Sequence, residues 1–169
     1  LLHTSITDCH AKAFVLAAGG GVNLYSGFLT VVDTTISNCF AEDALLAFGG
    51  GVGILYAASG NFMALKIFSC AAQSVGSQYS FGGGLSLFGG AVRLVGDSII
   101  SNCSAHYGGA LQVDGAIALV YIQLEHLALS NNTAMQGSSI CIGPYPFTVA
   151  TNGPTFVAAK LAIIHDCTT

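Results

Sequence analysis

Ile100-Ser101-Asn102-Cys103-Ser104-Ala105-His106-Tyr107-Gly108-Gly109-Ala110-Leu111-Gln112-Val113 holds in one stretch the pattern that decides the fold. An apolar residue stands three before a Cys, an Ala two after it, and a glycine cluster then opens a short alternating segment. The order can be read five times, with a sixth copy cut off at the C-terminus. Copy one has Ile6, Cys9, Ala11, Gly19-Gly20-Gly21, Val22 and Leu24; copy two has Ile36, Cys39, Ala41, Gly49-Gly50-Gly51, Val52 and Ile54. Copy three has Ile67, Cys70, Ala72, Gly82-Gly83-Gly84, Leu85 and Leu87. Copy five has Leu129, Asn132, Ala134, Gly137-Ser138-Ser139, Ile140 and Ile142, and the remnant has Ile164 and Cys167. Successive Cys positions are separated by 30, 31, 33, 29 and 35 residues, a regular core with elastic loops.

A period near 30 residues admits a helical or a β solenoid, and local alternation decides between them. Helical repeats need 3.6-residue periodicity and tolerate few glycines. Here Val22 and Leu24, Val52 and Ile54, Leu85 and Leu87, Leu111 and Val113, and Ile140 and Ile142 point one way. Asn23, Gly53, Ser86, Gln112 and Cys141 point the other, the two-residue period of a strand. A second alternating segment precedes each Cys, and a third, such as Phe28-Leu29-Thr30-Val31-Val32, lies between. The expected fold is therefore all-β: a parallel β-solenoid of about five coils of roughly 30 residues, three short strands each. Residues 1–169 form a single section of it, read as a piece of a longer repeat protein because both ends fall in mid-repeat. Strand stacking makes that section on the order of 24 Å long.

Composition narrows the surroundings. Hydrophobic residues are 53% and charged residues 7% of the 169, too few charges for an ordinary free-standing surface. With a net charge of −4 and only Lys12, Lys66, Arg93 and Lys160 as cations, nucleic acid is excluded as a partner. No run reaches the roughly 18–20 consecutive apolar residues of a spanning helix. The most apolar stretch, Leu111 to Leu129, is interrupted by Gln112, Asp114, Gln123, Glu125 and His126.

Between the Ala and the glycines, copies one and two insert Lys12 to Ala18 and Glu42 to Phe48, copy three inserts Gln73 to Phe81, and copies four and five insert two residues. In register, Lys12 falls beside Glu42, an opposite-charge rung. Phe14-Val15-Leu16 and Leu45-Leu46 are apolar, which suits either a widened core or an exposed patch for a partner. Gly143-Pro144-Tyr145-Pro146 and Asn152-Gly153-Pro154 mark a long excursion before the last strand.

Leu129-Ser130-Asn131-Asn132-Thr133-Ala134 and Gly108-Gly109-Ala110-Leu111 resemble the FxxN and GGA(I/L/V) repeats of the chlamydial polymorphic membrane proteins and related parallel β-helix surface proteins. The resemblance covers almost the whole chain and rests on recurrence, each motif being short. It implies a right-handed parallel β-helix of the pectin-lyase-like kind in a secreted or surface-displayed protein, often adhesive or structural. This chain departs from the pattern by placing Cys where the family has Asn in four complete copies, and it shows no autotransporter barrel pattern.

Cys9, Cys39, Cys70 and Cys103 form one column, spread over about 14 Å and so unable to share one tetrahedral metal shell. They read as stacked thiols filling a narrow corner, with a strained Cys9–Cys39 disulfide as the alternative. Cys141, on an outward strand position, is the candidate reactive or cross-linking thiol. Asn102-Cys103-Ser104 and Asn131-Asn132-Thr133 are N-glycosylation sequons, making Asn102 and Asn131 candidate glycan sites. The alternative is corner chemistry, since Asp8, Asn38, Ser69 and Asp166 share their column.

Polysaccharide lyases and hydrolases need clustered acids or a basic residue in a groove. Asp8, Asp33, Glu42, Asp43, Asp97, Asp114, Glu125 and Asp166 are scattered, and no repeat register forces Arg93, Asp97 and Asp114 together. His10 beside Asp8 and Cys9, and His165 beside Asp166 and Cys167, are neighbours only along the chain. The glycine clusters match no nucleotide-binding loop. The expectation is a non-catalytic structural or adhesive scaffold, extracellular or on a cell surface, without a cofactor. Its expected partners are further coils, neighbouring subunits and glycans; the alternative is a carbohydrate-binding or carbohydrate-cleaving β-helix.

Overall fold

The computed structural model describes residues 1–43, 45–56, 58–76, 79–114, 120–135, 137–142 and 155–164, and of residues 114, 120–125, 142 and 155–164 the backbone alone. The turns at Gly143–Pro146 and Asn152–Pro154, and His165, Asp166 and Cys167, lie outside the described residues.

The described chain is all strand and turn. The first coil runs through β1 (Ser5–Thr7), β2 (His10–Ala13), β3 (Leu16–Ala18), β4 (Val22–Leu24) and β5 (Phe28–Val32). The second repeats it as β6 (Thr35–Ser37), β7 (Phe40–Asp43), β8 (Leu46–Phe48), β9 (Val52–Leu55) and β10 (Ser59–Met63). The third has β11 (Lys66–Phe68), β12 (Ala71–Ser74), β13 (Ser80–Phe81), β14 (Leu85–Phe88) and β15 (Gly90–Val95). Then follow β16 (Ser98–Ser101), β17 (Leu111–Asp114), the long β18 (Val120–Ser130), β19 (Ile140–Ile142) and β20 (Thr155–Ile164).

Each strand pairs in parallel with its counterpart one coil away, giving a parallel solenoid of about four turns with three walls. Wall one stacks β1, β6, β11, β16 and the end of β18; wall two stacks β4, β9, β14, β17 and β19; wall three stacks β5, β10, β15 and the start of β18. The register follows the repeat: Ile6, Ile36, Ile67, Ile100, Leu129 and Ile164 are successive partners in wall one. Val22, Val52, Leu85, Leu111 and Ile140 are successive partners in wall two. From Ile6 to Leu129 in wall one and from Val22 to Ile140 in wall two, the side chains pack with Val31, Phe62 and Leu94 of wall three in one continuous core, each buried aliphatic contributing roughly 1.5–3 kcal/mol.

The corners explain the polar residues of the repeat. Asp8, Asn38, Ser69, Asn102 and Asn131, each following wall one, have φ of 52 to 56°. Asn and Asp tolerate that left-handed backbone best after glycine, because their short side chains can hydrogen-bond locally.

The inserts of the first three copies add two more strands per coil. They form an outer sheet β2-β7-β12 and an inner sheet β3-β8-β13, folded on each other as a lateral flange. Small buried residues, among them Ala17, Ala41, Ala47 and Ala72, let the flange close tightly. Phe48 and Phe81 of the inner sheet cluster with Leu55 and Phe88 on the outer side of wall two. Phe48 stacks on Phe81 at 5.0 Å and Phe81 on Tyr107 at 5.3 Å, so Tyr107 carries the aromatic ladder into the coil where the flange stops. Ser86 and Gln112 do point away from the core as alternation requires, yet both are fully buried under this second layer.

Candidate functional site

The surface feature the fold builds most deliberately is the crest of the flange. Asp43, buried, accepts the Leu45 N–H on Oδ1 at 2.8 Å, an Asx turn that reverses the chain between the flange sheets. Beyond that turn the apolar residues have no core to enter. Phe14 is 80% and Val75 70% exposed, with Val15, Leu16 and Leu45 also exposed, across the three flange rungs. The inserts thus serve both purposes: Ala17, Ala18, Ala47 and Phe48 widen the core, and the residues before them form an apolar ridge.

One side of the flange carries its charges. Lys12 and Glu42 are register partners, with Nζ 2.7 Å from Oε1, and His10 Nε2 lies 3.4 Å from Oε2. The Lys12 hydrogen bond and charge, with a smaller contribution from His10, hold the Glu42 carboxyl below its ordinary value of 4.5. A depressed carboxyl stabilises the fold fully above its unfolded value and loses that contribution as pH falls through the folded value. Lys12→Met is therefore expected to flatten the loss of stability below about pH 4.5, read from urea midpoints across an acid series.

The cysteine column is inward and packed. Cys39, Cys70 and Cys103 are buried, Cys9 and Cys141 half-buried, and all five are thiols. Cys70 Sγ accepts the Cys39 N–H at 3.4 Å and donates to the Phe68 carbonyl at 3.3 Å, with the Ile36 carbonyl at 3.9 Å. Asn132, the next member, makes the same connections with an amide: it accepts the Cys103 N–H at 3.0 Å and donates to the Ile100 carbonyl at 3.1 Å. Asn can take the place of Cys here because either satisfies one N–H and one C=O of the coil before. Asn132→Ala should cost about 2–3 kcal/mol by orphaning the Cys103 N–H, whereas Asn132→Cys should cost under about 1, both read from urea unfolding.

Burial pushes the Cys39 thiol up to about 11, and the hydrogen bond shared with Cys103 together with burial raises Cys70. Iodoacetamide on the native protein should label Cys9 and Cys141 first and reach Cys39, Cys70 and Cys103 only at the rate of unfolding, read by peptide mass mapping. Asn102 and Asn131, the sequon residues, are both exposed and sit on adjacent rungs at left-handed corners.

The acids occupy separate places. Asp8 and Asp33 are corner residues, Asp8 accepting from Asn38 Nδ2 at 3.2 Å and Asp33 lying 3.0 Å from His3 Nδ1. Arg93 is on the outer face of wall three and Asp97 at the following turn; the side chains of Asp114 and Glu125 lie outside the described residues. Among the described residues no group of three or more His, Cys, Asp or Glu could hold a metal ion, and no helix is long and apolar enough to cross a membrane. A cleft of about 260 Å³ opens where the flange ends, lined by Ala72, Gln73, Ser80, Ala105, His106 and Met135. There Ser80 Oγ is buried, accepts the His106 N–H at 2.9 Å and lies 3.0 Å from His106 Nδ1, tying the short fourth insert to the flange. The repeat reading missed this cleft and also the exposed contact between Tyr25 and Tyr56. The change of insert length after copy three was the sequence signal for the first; the second had none, the two tyrosines occupying non-equivalent corner positions.

No family model, curated protein or solved structure matches the chain.

Proposed function

We propose that this chain is a section of a non-catalytic structural or adhesive scaffold, extracellular or on a cell surface, whose contact surface is the flange crest. The observation that carries the reading is the apolar ridge of Phe14, Val15, Leu45 and Val75, displayed by a flange that repeats over three rungs. The resemblance of the short repeat motifs to those of the chlamydial polymorphic membrane proteins supports a surface setting, as do the exposed sequon residues Asn102 and Asn131. Further coils or neighbouring subunits are the proposed axial partners, since Ile6, Val22, Leu24 and Leu29 of the first coil are only partly buried although they face the core. A carbohydrate-binding or carbohydrate-cleaving β-helix is the second reading. It is favoured by the outer face of wall three, where Thr30, Asn61 and Arg93 are register partners beside exposed Phe28.

The test compares the protein, expressed through a eukaryotic secretory route, with its Phe14→Ser/Val15→Ser/Val75→Ser variant. Beads coated with the parent should adhere to cultured cells and those coated with the variant should not, with both proteins equally folded by circular dichroism. Turnover of a polysaccharide in a panel of pectate, alginate and chondroitin, lost on Arg93→Ala, would overturn the scaffold reading. Intact mass before and after enzymatic deglycosylation, with Asn102→Gln and Asn131→Gln as controls, decides the glycans.

A further inference from the structure

The corner between walls two and three carries a pair of tyrosines that packing does not require. Tyr25 and Tyr56 follow β4 and β9, and their ring centroids are 4.6 Å apart with the planes at 50°. That separation is at the short end of ordinary aromatic contacts, about 4.5–7 Å. The rings are in solvent, 58% and 37% exposed, not in the core. The neighbouring Tyr56 phenol holds the Tyr25 proton more tightly than usual.

Backbone geometry adds an independent observation. Tyr56 has φ of 56°, a left-handed conformation that a bulky residue adopts only at a cost. Leu55 and Phe88 are register partners, so the residue at this corner in the next coil is Gly89, with φ of 88°. Where the neighbouring coil uses glycine, the second coil keeps a strained tyrosine whose ring lies on that of Tyr25.

We propose that Tyr25 and Tyr56 form an oxidative cross-linking site, joined as a dityrosine that staples the first coil to the second. The oxidant is of the haem-peroxidase class, supplied with hydrogen peroxide. Each phenol gives up one electron and one proton, leaving two phenoxyl radicals, and the peroxide is reduced to two waters. The radicals couple through a carbon–carbon bond between ring positions ortho to the oxygens. The hydrogens on those two carbons then move to the oxygens as the rings regain aromaticity. The product has lost two hydrogen atoms in all. It closes a loop of about 30 residues, a span over which a covalent link should raise the unfolding midpoint by about 10 °C.

The experiment treats the whole chain, at a concentration where it is monomeric, with a haem peroxidase and equimolar hydrogen peroxide. The expected product is a monomer lighter by two hydrogens, with dityrosine fluorescence, one peptide linking Tyr25 to Tyr56 and the higher midpoint. Tyr25→Phe and Tyr56→Phe, which keep the ring contact and the fold, should each abolish all four signals. Cross-links found only between molecules, oxidation confined to Tyr79 or Tyr107, or a monomer unchanged in mass would each overturn the proposal. A dityrosine that survives in either Phe variant would do the same.

Discussion

Gly50→Ala is expected to abolish the cooperative fold, with a loss of more than about 4 kcal/mol. A Cβ at Gly50 would stand 2.4 Å from the carbonyl carbon and oxygen of Ala71 and 2.5 Å from its nitrogen. All three are backbone atoms of the next coil, so no rotamer change relieves the clash. Relief requires the coils to separate, and separation breaks the bond from the Gly50 N–H to the Gly82 carbonyl at 3.2 Å and its neighbours along the ladder. The comparison is far-ultraviolet circular dichroism and a urea melt of parent and variant. A parental midpoint would mean that the coils stand further apart at this corner than described.

Phe62→Ala should cost about 3–5 kcal/mol, the second largest effect. Phe62 is fully buried on β10, with Val31 and Leu94 as its rung partners. Its ring lies over Gly60 so closely that a Cβ there would fall 2.3 Å from Phe62 Cε2. The two positions share one volume and should therefore be coupled. Gly60→Ala alone should destabilise, whereas in the Phe62→Ala background it should cost less or restore some stability. Urea melts of the four proteins in that double-mutant cycle give the coupling. Additive effects would show that the ring and the glycine do not share space.

Much of this architecture was legible because a parallel solenoid repeats its contacts at the spacing of its sequence. The uneven Cys spacings of 30, 31, 33, 29 and 35 are the register steps of wall one, from Ile6 through Ile36, Ile67, Ile100 and Leu129 to Ile164. The Lys12–Glu42 rung was legible for the same reason, two residues at one repeat position being neighbours across a parallel ladder. The inserts were not. A repeat places its own positions but says nothing about where extra residues go, and these folded into two sheets that cover wall two.

The class of fold, the walls, the inward columns and the corner residues could all be read from the chain, because they depend on period and alternation. The folded molecule was needed to show that Ser86 and Gln112, outward by alternation, are buried, because a side chain's direction does not reveal what lies above it. It alone showed why Asn132 can stand in a column of cysteines, since that equivalence rests on hydrogen bonds between coils. It alone brought Tyr25 against Tyr56, through a strained corner that no repeat position announces.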